Sequence, residues 1–363
     1  MASNLIRLRL GDPESGGDCG RRTVHSLATA PKPGISRRCF LHGTLAAGSA
    51  LLVGLLDACS SAAVTANASS SAFSPVGATS NVATTSTASG GAAPAVAAAE
   101  NVWGSIAGQL GGDRVQVTSI IANPNTDPHS YEPRPTDARL AATARYVIVN
   151  GAGYDPWAEK LLTANPVAGR RVLTVADLVG KKDGDNPHLW YSPDYVAQAI
   201  QRITADYKAL APADAPYFDQ QYMQFTTVRL KAYKDLIATI KQRFAGVPVS
   251  STESIFVYLA GALGLQVLTP PGFMQAISDG NEPTAAEKAT FDQQITKHQM
   301  KVFVNNKQNA TPDTSVLKAK AQAAGIPIVD ITETLDPATA SFQDWQTAQL
   351  QALQQALATA TGK

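Results

Sequence analysis

The sequence predicts an α/β protein of two lobes, each a parallel β-sheet flanked by helices, joined by one long rigid helix. Three observations predict it. Segments such as "YVIVN", ending at Asn150, are apolar on both faces, as in a parallel sheet covered on two sides. Strand-like and helix-like segments alternate, and they do so in two blocks. Between the blocks, the chain from Asp214 to Phe244 has no glycine, and Tyr222, Phe225, Leu230, Tyr233, Leu236, Ile237 and Ile240 recur at helical spacing. At about 1.5 Å per residue that helix would be on the order of 45 Å long, a strut rather than a core helix. Two α/β blocks on a strut place a ligand site in the cleft between them, outside the carboxyl ends of the strands.

Taken in order, the chain opens on an export signal. "SRRCFLHGTLAAGSALLVGLLDAC", Ser36 to Cys59, sets Arg37 and Arg38 before an apolar stretch too short and weak to span a membrane. "SRRCFL" resembles a twin-arginine signal. "LDAC" resembles a lipobox whose Cys59 would be lipidated, with Asp57 departing from the usual small or apolar residue. Residues 1–58 are thus read as a lipoprotein signal, of which 1–35 are a long leading region or a start placed too early. Residues 59–95 are almost all Ser, Ala, Thr and Gly, cannot bury a core, and read as a flexible tether.

The first block, 96–213, contains a helix in "NVWGSIAGQLGG", a strand in "RVQVTSII", a proline-braced loop, a helix in "PTDARLAATA" and a strand in "RYVIVNG". The linking helix takes 214–245. The second block, 246–363, has strands in "VPVSST", "ALGLQVLTPP", "KVFVNN" and "GIPIVDIT", with helices in "TAAEKATFDQQITKH" and "TPDTSVLKAKAQAAG". A net charge of +1, with no basic cluster outside the signal, gives no support for nucleic-acid binding. The cysteines are Cys19, Cys39 and Cys59, so the folded part has no disulfide or thiolate ligand to offer.

Chemistry must therefore come from His129, His188, His298 and carboxylates. His129 sits in "NPNTDPHSYEP" among Pro124, Pro128 and Pro133, which exclude a helix and stiffen the loop. His188 stands in a second proline-braced loop, "DGDNPHLWYSP". Glu253 follows the strand "VPVSST", and Glu333 and Asp336 follow "GIPIVDIT". One ionisable residue at the carboxyl end of each of four segments, two from each block, would converge on the cleft. Two imidazoles and two carboxylates suit Mn(II), Fe(II) or Zn(II) and suit Cu(I) poorly. Each has a plainer alternative. A histidine after a strand can be an ordinary loop residue, Glu253 can cap the helix that follows it, and Asp336 can open a turn at Pro337. His298, at a helix end, reads as structural.

"NPNTDPHSYEP", "YVIVNGAGYDPW", "NPHLWYSP", the long helix and "STESIFVYLAGALGL" resemble, in that order, the metal-binding subunits of bacterial ABC importers for zinc and manganese. The resemblance covers nearly the whole chain from about residue 96. It implies a lipid-anchored receptor, monomeric, holding one transition-metal ion between its lobes and passing it to a membrane permease driven by a cytoplasmic ATPase. Carried over residue by residue, the ligands are His129, His188, Glu253 and, last, Glu333 in preference to Asp336. Glu253 in place of a third imidazole, and the lack of a His-rich acidic loop between His129 and His188, tilt the reading toward manganese. Asp127, Glu132 and Asn186 are near enough in sequence to accept the imidazoles' second N–H. Metal affinity is expected to fall as pH drops through the histidine range near 6.5. With four protein ligands no position is left for an activated water, so the reading is a receptor and not an enzyme. The alternatives are a secreted metallohydrolase using Glu333 as general base, and a surface adhesin with an incidental metal.

Overall fold

The computed structural model describes residues 93–363. The signal expected around Arg37, Arg38 and Cys59, and the tether up to residue 92, lie outside the described residues.

The first lobe is built from β1 (Ala95–Glu100), α1 (Asn101–Gly111), β2 (Gln116–Ile121), α2 (Pro135–Thr143), β3 (Tyr146–Val149), α3 (Pro156–Ala164), β4 (Arg171–Thr174), α4 (Val175–Leu178) and α5 (Pro193–Leu210). Its sheet is parallel, in the order β2-β1-β3-β4. The central strand β1, "AVAAAE", was not among the strands expected from sequence, because alanine has little strand preference and the segment continues the composition of the tether. Its burial explains the choice of residue. Val96 and Ala98 face one apolar cluster while Ala97 and Ala99 face another, so small side chains admit layers on both sides. The close fit extends to α1, where a Cβ at Gly104 would fall 2.0 Å from Ser119 Oγ.

The linker differs from the single helix expected. It runs as α6 (Ala215–Gln224), a π turn over Phe225–Arg229, and α7 (Lys231–Phe244). Thr226 and Thr227 turn their hydroxyls back onto the carbonyls of Tyr222 (2.8 Å) and Met223 (2.6 Å), and Leu230 N–H reaches Phe225 O at 2.9 Å. Back-bonding hydroxyls in a β-branched run loosen the regular ladder, and buried Phe225 anchors the bulge.

The second lobe contains β5 (Pro248–Ser251), α8 (Val257–Leu263), β6 (Gln266–Val267), α9 (Pro271–Ser278), α10 (Ala285–Thr296), β7 (Val302–Asn306), α11 (Pro312–Ala323), β8 (Ile328–Ile331) and α12 (Phe342–Thr361). Its sheet repeats the first lobe's order, β6-β5-β7-β8, all parallel. In each sheet the strand order reverses beside the first strand, so β1 and β3, and likewise β5 and β7, frame a crevice at their carboxyl ends. α12 returns to pack along α7 and touches α1, and one apolar cluster runs unbroken from Val96 through α7 to Leu357. Among the described residues no helix is long and apolar enough to cross a membrane.

Candidate metal centre

The loop carrying His129 is stiffened by more than its prolines. Asn123 Oδ1 accepts from Asn125 N (2.9 Å), and Asp127 accepts from His129 N (3.0 Å) and Ser130 Oγ (2.7 Å). Trp157 Nε1 donates to Pro128 O at 3.2 Å, clamping the loop to α3. Asp127 thus shapes the backbone and does not accept from the imidazole, and Glu132 is exposed with no bond to either ring among the described residues. Asn186 does hold the place suggested for it. Its Oδ1 lies 2.8 Å from His188 Nδ1 and also accepts from His188 N at 3.1 Å. That loop is held from the second lobe, since Asn186 Nδ2 donates to Ser254 O (2.7 Å) and Tyr258 OH donates to Asn186 O (2.8 Å).

With Nδ1 bonded to an amide oxygen, the network assigns the His188 proton to Nδ1 and leaves the Nε2 lone pair free. His188 Nε2 and His129 Nε2 are both buried atoms without a hydrogen-bond partner among the described residues. His129 Nε2 lies 3.5 Å from Glu333 Oε2, and the two rings sit 6.1 Å apart. His129, His188 and Glu333 each offer a ligand atom within 4.8 Å of the others. His188 and Glu333 are buried, whereas the His129 side chain is 25% exposed and marks the side open to solvent.

Glu333 follows β8, and Gln308 Oε1 accepts from its N–H (2.5 Å) and from Thr334 N (3.1 Å). Tyr154 OH donates to Glu333 Oε2 at 2.7 Å, and Asn306 Nδ2 donates to Oε1 at 2.8 Å. The same amide nitrogen donates to Glu253 Oε1. Glu253 stands at the switch point after β5, buried, with Asn309 Nδ2 at 2.9 Å and Ser278 Oγ at 3.5 Å from Oε2. It makes no capping bond to the turn that follows it. Glu253 is therefore beside the three-residue cluster, separated from Glu333 by the shared Asn306 amide. Asp336 pairs with Lys307 and lies outside the cluster. His298 lies in the turn two residues past the end of α10, exposed and in left-handed backbone (φ 50°).

Burial sets the charges. It holds His188 well below the ordinary imidazole range, with nearby His129 adding to the effect. It pushes Glu253 up to about 8, reinforced by Glu333, against the donors from Asn306, Asn309 and Ser278. Glu333 is raised by burial too, while His129, Tyr154 and Asn306 oppose the shift. Two nitrogen lone pairs facing protonable carboxyls form a set that releases protons as it takes up a cation.

Tyr154, Asn306, Gln308 and Asn309 were not singled out from sequence. Asn305 and Asn306, closing an otherwise apolar strand, were the available signal for one of them; nothing local marks Gln308.

Two parallel-sheet lobes joined by a helical linker, with imidazoles and carboxylates at their facing strand ends, define a two-lobed ligand receptor. The chain belongs to the ZnuA family, "zinc-uptake complex component A periplasmic", which matches residues 96–356. It is 24% identical over 250 residues to the metal ABC transporter substrate-binding lipoprotein FimA of Streptococcus parasanguinis, across 63% of this chain and 76% of that one. It is 29% identical over 174 residues to the iron-binding protein YfeA of Yersinia pestis, across 44% and 54% of the two chains. In fold it is similar to a Mn-bound periplasmic metal binding protein from Candidatus Liberibacter asiaticus, with TM-score 0.61, 19% identity and coverage of 73% and 99%. FpvC of Pseudomonas aeruginosa, in complex with Mn2+, is similar at TM-score 0.60 and 19% identity, across 74% of this chain and 99% of that one.

Proposed function

We propose that the chain is an extracytoplasmic receptor that binds one divalent transition-metal ion and delivers it to an ABC permease and its ATPase for import. The observation that carries the reading is the pair of buried, unpartnered imidazole Nε2 atoms beside the Glu333 carboxylate. In this proposal His129, His188 and Glu333 ligate directly, and Glu253 joins when Asn306 yields one acid to the ion. Asn186 fixes the His188 ring. Family membership and relatives named for manganese and iron support the reading. Two carboxylates with two imidazoles favour a hard ion more than three imidazoles would, which supports manganese ahead of zinc.

The proposal includes the division of the chain into signal (1–58), tether (59–95), first lobe (96–213), linker (214–245) and second lobe (246–363). It also includes export through Arg37 and Arg38, a lipid anchor at Cys59, and action as a monomer. The hydrolytic alternative asks for Glu333 as a free general base, and both its oxygens are engaged by Tyr154 and Asn306. The adhesin alternative predicts that deletion leaves metal-limited growth unaffected.

The test is metal analysis of protein from its native host, followed by competitive titration of the apo form with Mn(II) and Zn(II). One equivalent bound by the wild type and none by His129→Ala supports the receptor. Equal binding by both removes His129 from the site. For the anchor, Cys59→Ala is expected to release protein from membranes without altering metal binding, and Arg37→Lys with Arg38→Lys to retain precursor in the cytoplasm.

A further inference from the structure

The first lobe holds a second acidic arrangement that the metal site does not use. Glu100 ends β1 at the switch point of its sheet, fully buried, and neither carboxyl oxygen meets a donor among the described residues. The β1–β3 register, Ala98 beside Ile148, continues to set Glu100 beside Asn150, whose N–H donates to Asp155 at 2.7 Å; Asp155 is also buried and accepts from Gly151 N at 2.8 Å. Two neighbouring buried carboxylates are disfavoured as a pair of anions, because each would lose its hydration and repel the other. Asp155, with two backbone donors, is the better anion.

The turn pinned by Asp155 is unusual. Gly151, Ala152 and Gly153 lie in left-handed backbone at φ 76°, 55° and 75°. Ala152 is not a glycine, so the conformation needs external support. A Cβ on Gly151 would meet Thr174 Cγ2 at 2.6 Å, so the turn also lies close on the sheet edge. From this turn two connections reach the metal ligands. Tyr154, its last residue before Asp155, donates to Glu333. Asn150, its first, donates from Nδ2 to Pro187 O at 2.8 Å, beside His188, and accepts from Trp103 Nε1 at 3.1 Å.

We propose that Glu100 is a positioning residue: as a neutral carboxylic acid donating to Asp155, it locks the Asn150–Asp155 turn and so fixes Tyr154 against Glu333 and Asn150 against the His188 loop. This rests on the metal-receptor reading, through the ligands at the far end of both connections. Burial pushes Glu100 well above the ordinary carboxyl range, and raises Asp155 against the opposing donors at Gly151 and Asn150, in keeping with the proton resting on Glu100. Among the described residues, the charged and titratable groups facing Glu100 are Asp155 and, beyond it, Tyr154, with no cation.

The experiment uses Glu100→Gln and Glu100→Ala beside wild type and His188→Ala. Glutamine keeps the shape and a neutral donor, so Glu100→Gln is expected to bind Mn(II) within about threefold of wild type, while Glu100→Ala weakens it roughly tenfold, as for loss of an outer partner of a ligand. Infrared spectra of the apo proteins supply a readout independent of metal. Wild type and His188→Ala are expected to show one more protonated-carboxyl C=O component than Glu100→Gln, beside the Glu253 acid that all three share. Glu100→Gln binding as weakly as Glu100→Ala, or an unchanged carboxyl band in Glu100→Gln, overturns the proposal. If His188→Ala binds metal normally, the receptor reading fails, while the infrared result still decides whether Glu100 is the acid.

Discussion

At the scale of single residues, the two histidines are separated by what holds them. His188 is locked by Asn186 and Ser254, with Nδ1 3.3 Å from Ser254 Oγ, whereas His129 keeps one edge toward solvent. His129→Ala and His188→Ala are each expected to lose stoichiometric binding, a larger effect than the roughly 10–100-fold typical of outer partners. Their apo circular dichroism should be unchanged for His129→Ala, whose loop is braced by Asp127 and Trp157. Glu333→Ala should lose metal, and Asp336→Ala, which removes only a pair with Lys307, should not. Titration of the two variants checks this, and the reverse ranking would move the fourth ligand to Asp336. Both histidines were legible in sequence as candidate ligands because each sits in a proline-braced loop, His129 after β2 and His188 after α4. Glu100 was not, because an acid ending an alanine-rich strand looks like the first residue of a helix.

At the scale of elements, the strands "YVIV" and "VFVNN" were readable from their continuous apolar runs, while β1 was hidden by the alanines that let it sit between two layers. The linker was readable as helical by its spacing, but its π turn depends on hydroxyls bonding backward, a contact that periodicity does not report. The turn after β7 shows a further cost of reading locally. Gln308 accepts from Glu333 N and Thr334 N through Oε1, and its Nε2 donates to Pro124 O in the His129 loop and to Thr334 Oγ1 (2.8 Å). One amide thus joins the ligand loops of the two lobes. Gln308→Ala is expected to speed metal release about tenfold, by the same measure as other outer partners. Stopped-flow release into a chelator checks it, and an unchanged rate would make the amide a structural detail.

At the scale of the whole molecule, the lobes share one apolar cluster that passes through the linker and α12, so the described part should unfold in a single transition despite its two sheets. The buried acids make that transition depend on pH. Glu253, raised to about 8 from an ordinary 4.5, takes up a proton on folding across that interval, so its contribution to stability is complete below 4.5 and is lost as pH rises toward 8. Glu333, Glu100 and Asp155 are raised too and act in the same direction. His188 acts oppositely, since its lowered value makes the fold resist protonation below 6.5, but it is silent above that. Between pH 6.5 and 8 only the carboxyl trend remains, and the apo Tm is expected to fall. A bound ion holds Glu333 and Glu253 as carboxylates, so loading expels protons and tightens across the same window. The pH dependence of affinity is therefore expected to extend above the histidine range near 6.5. Calorimetry of apo and Mn(II)-loaded protein at pH 6.5, 7.25 and 8 should show a rising gap between their Tm values. Titrations in buffers of different ionisation enthalpy should count the protons released. A gap that stays constant, with no proton release, would mean that the acids are already ionised in the apo protein, and that the fold tolerates their charge without the ion.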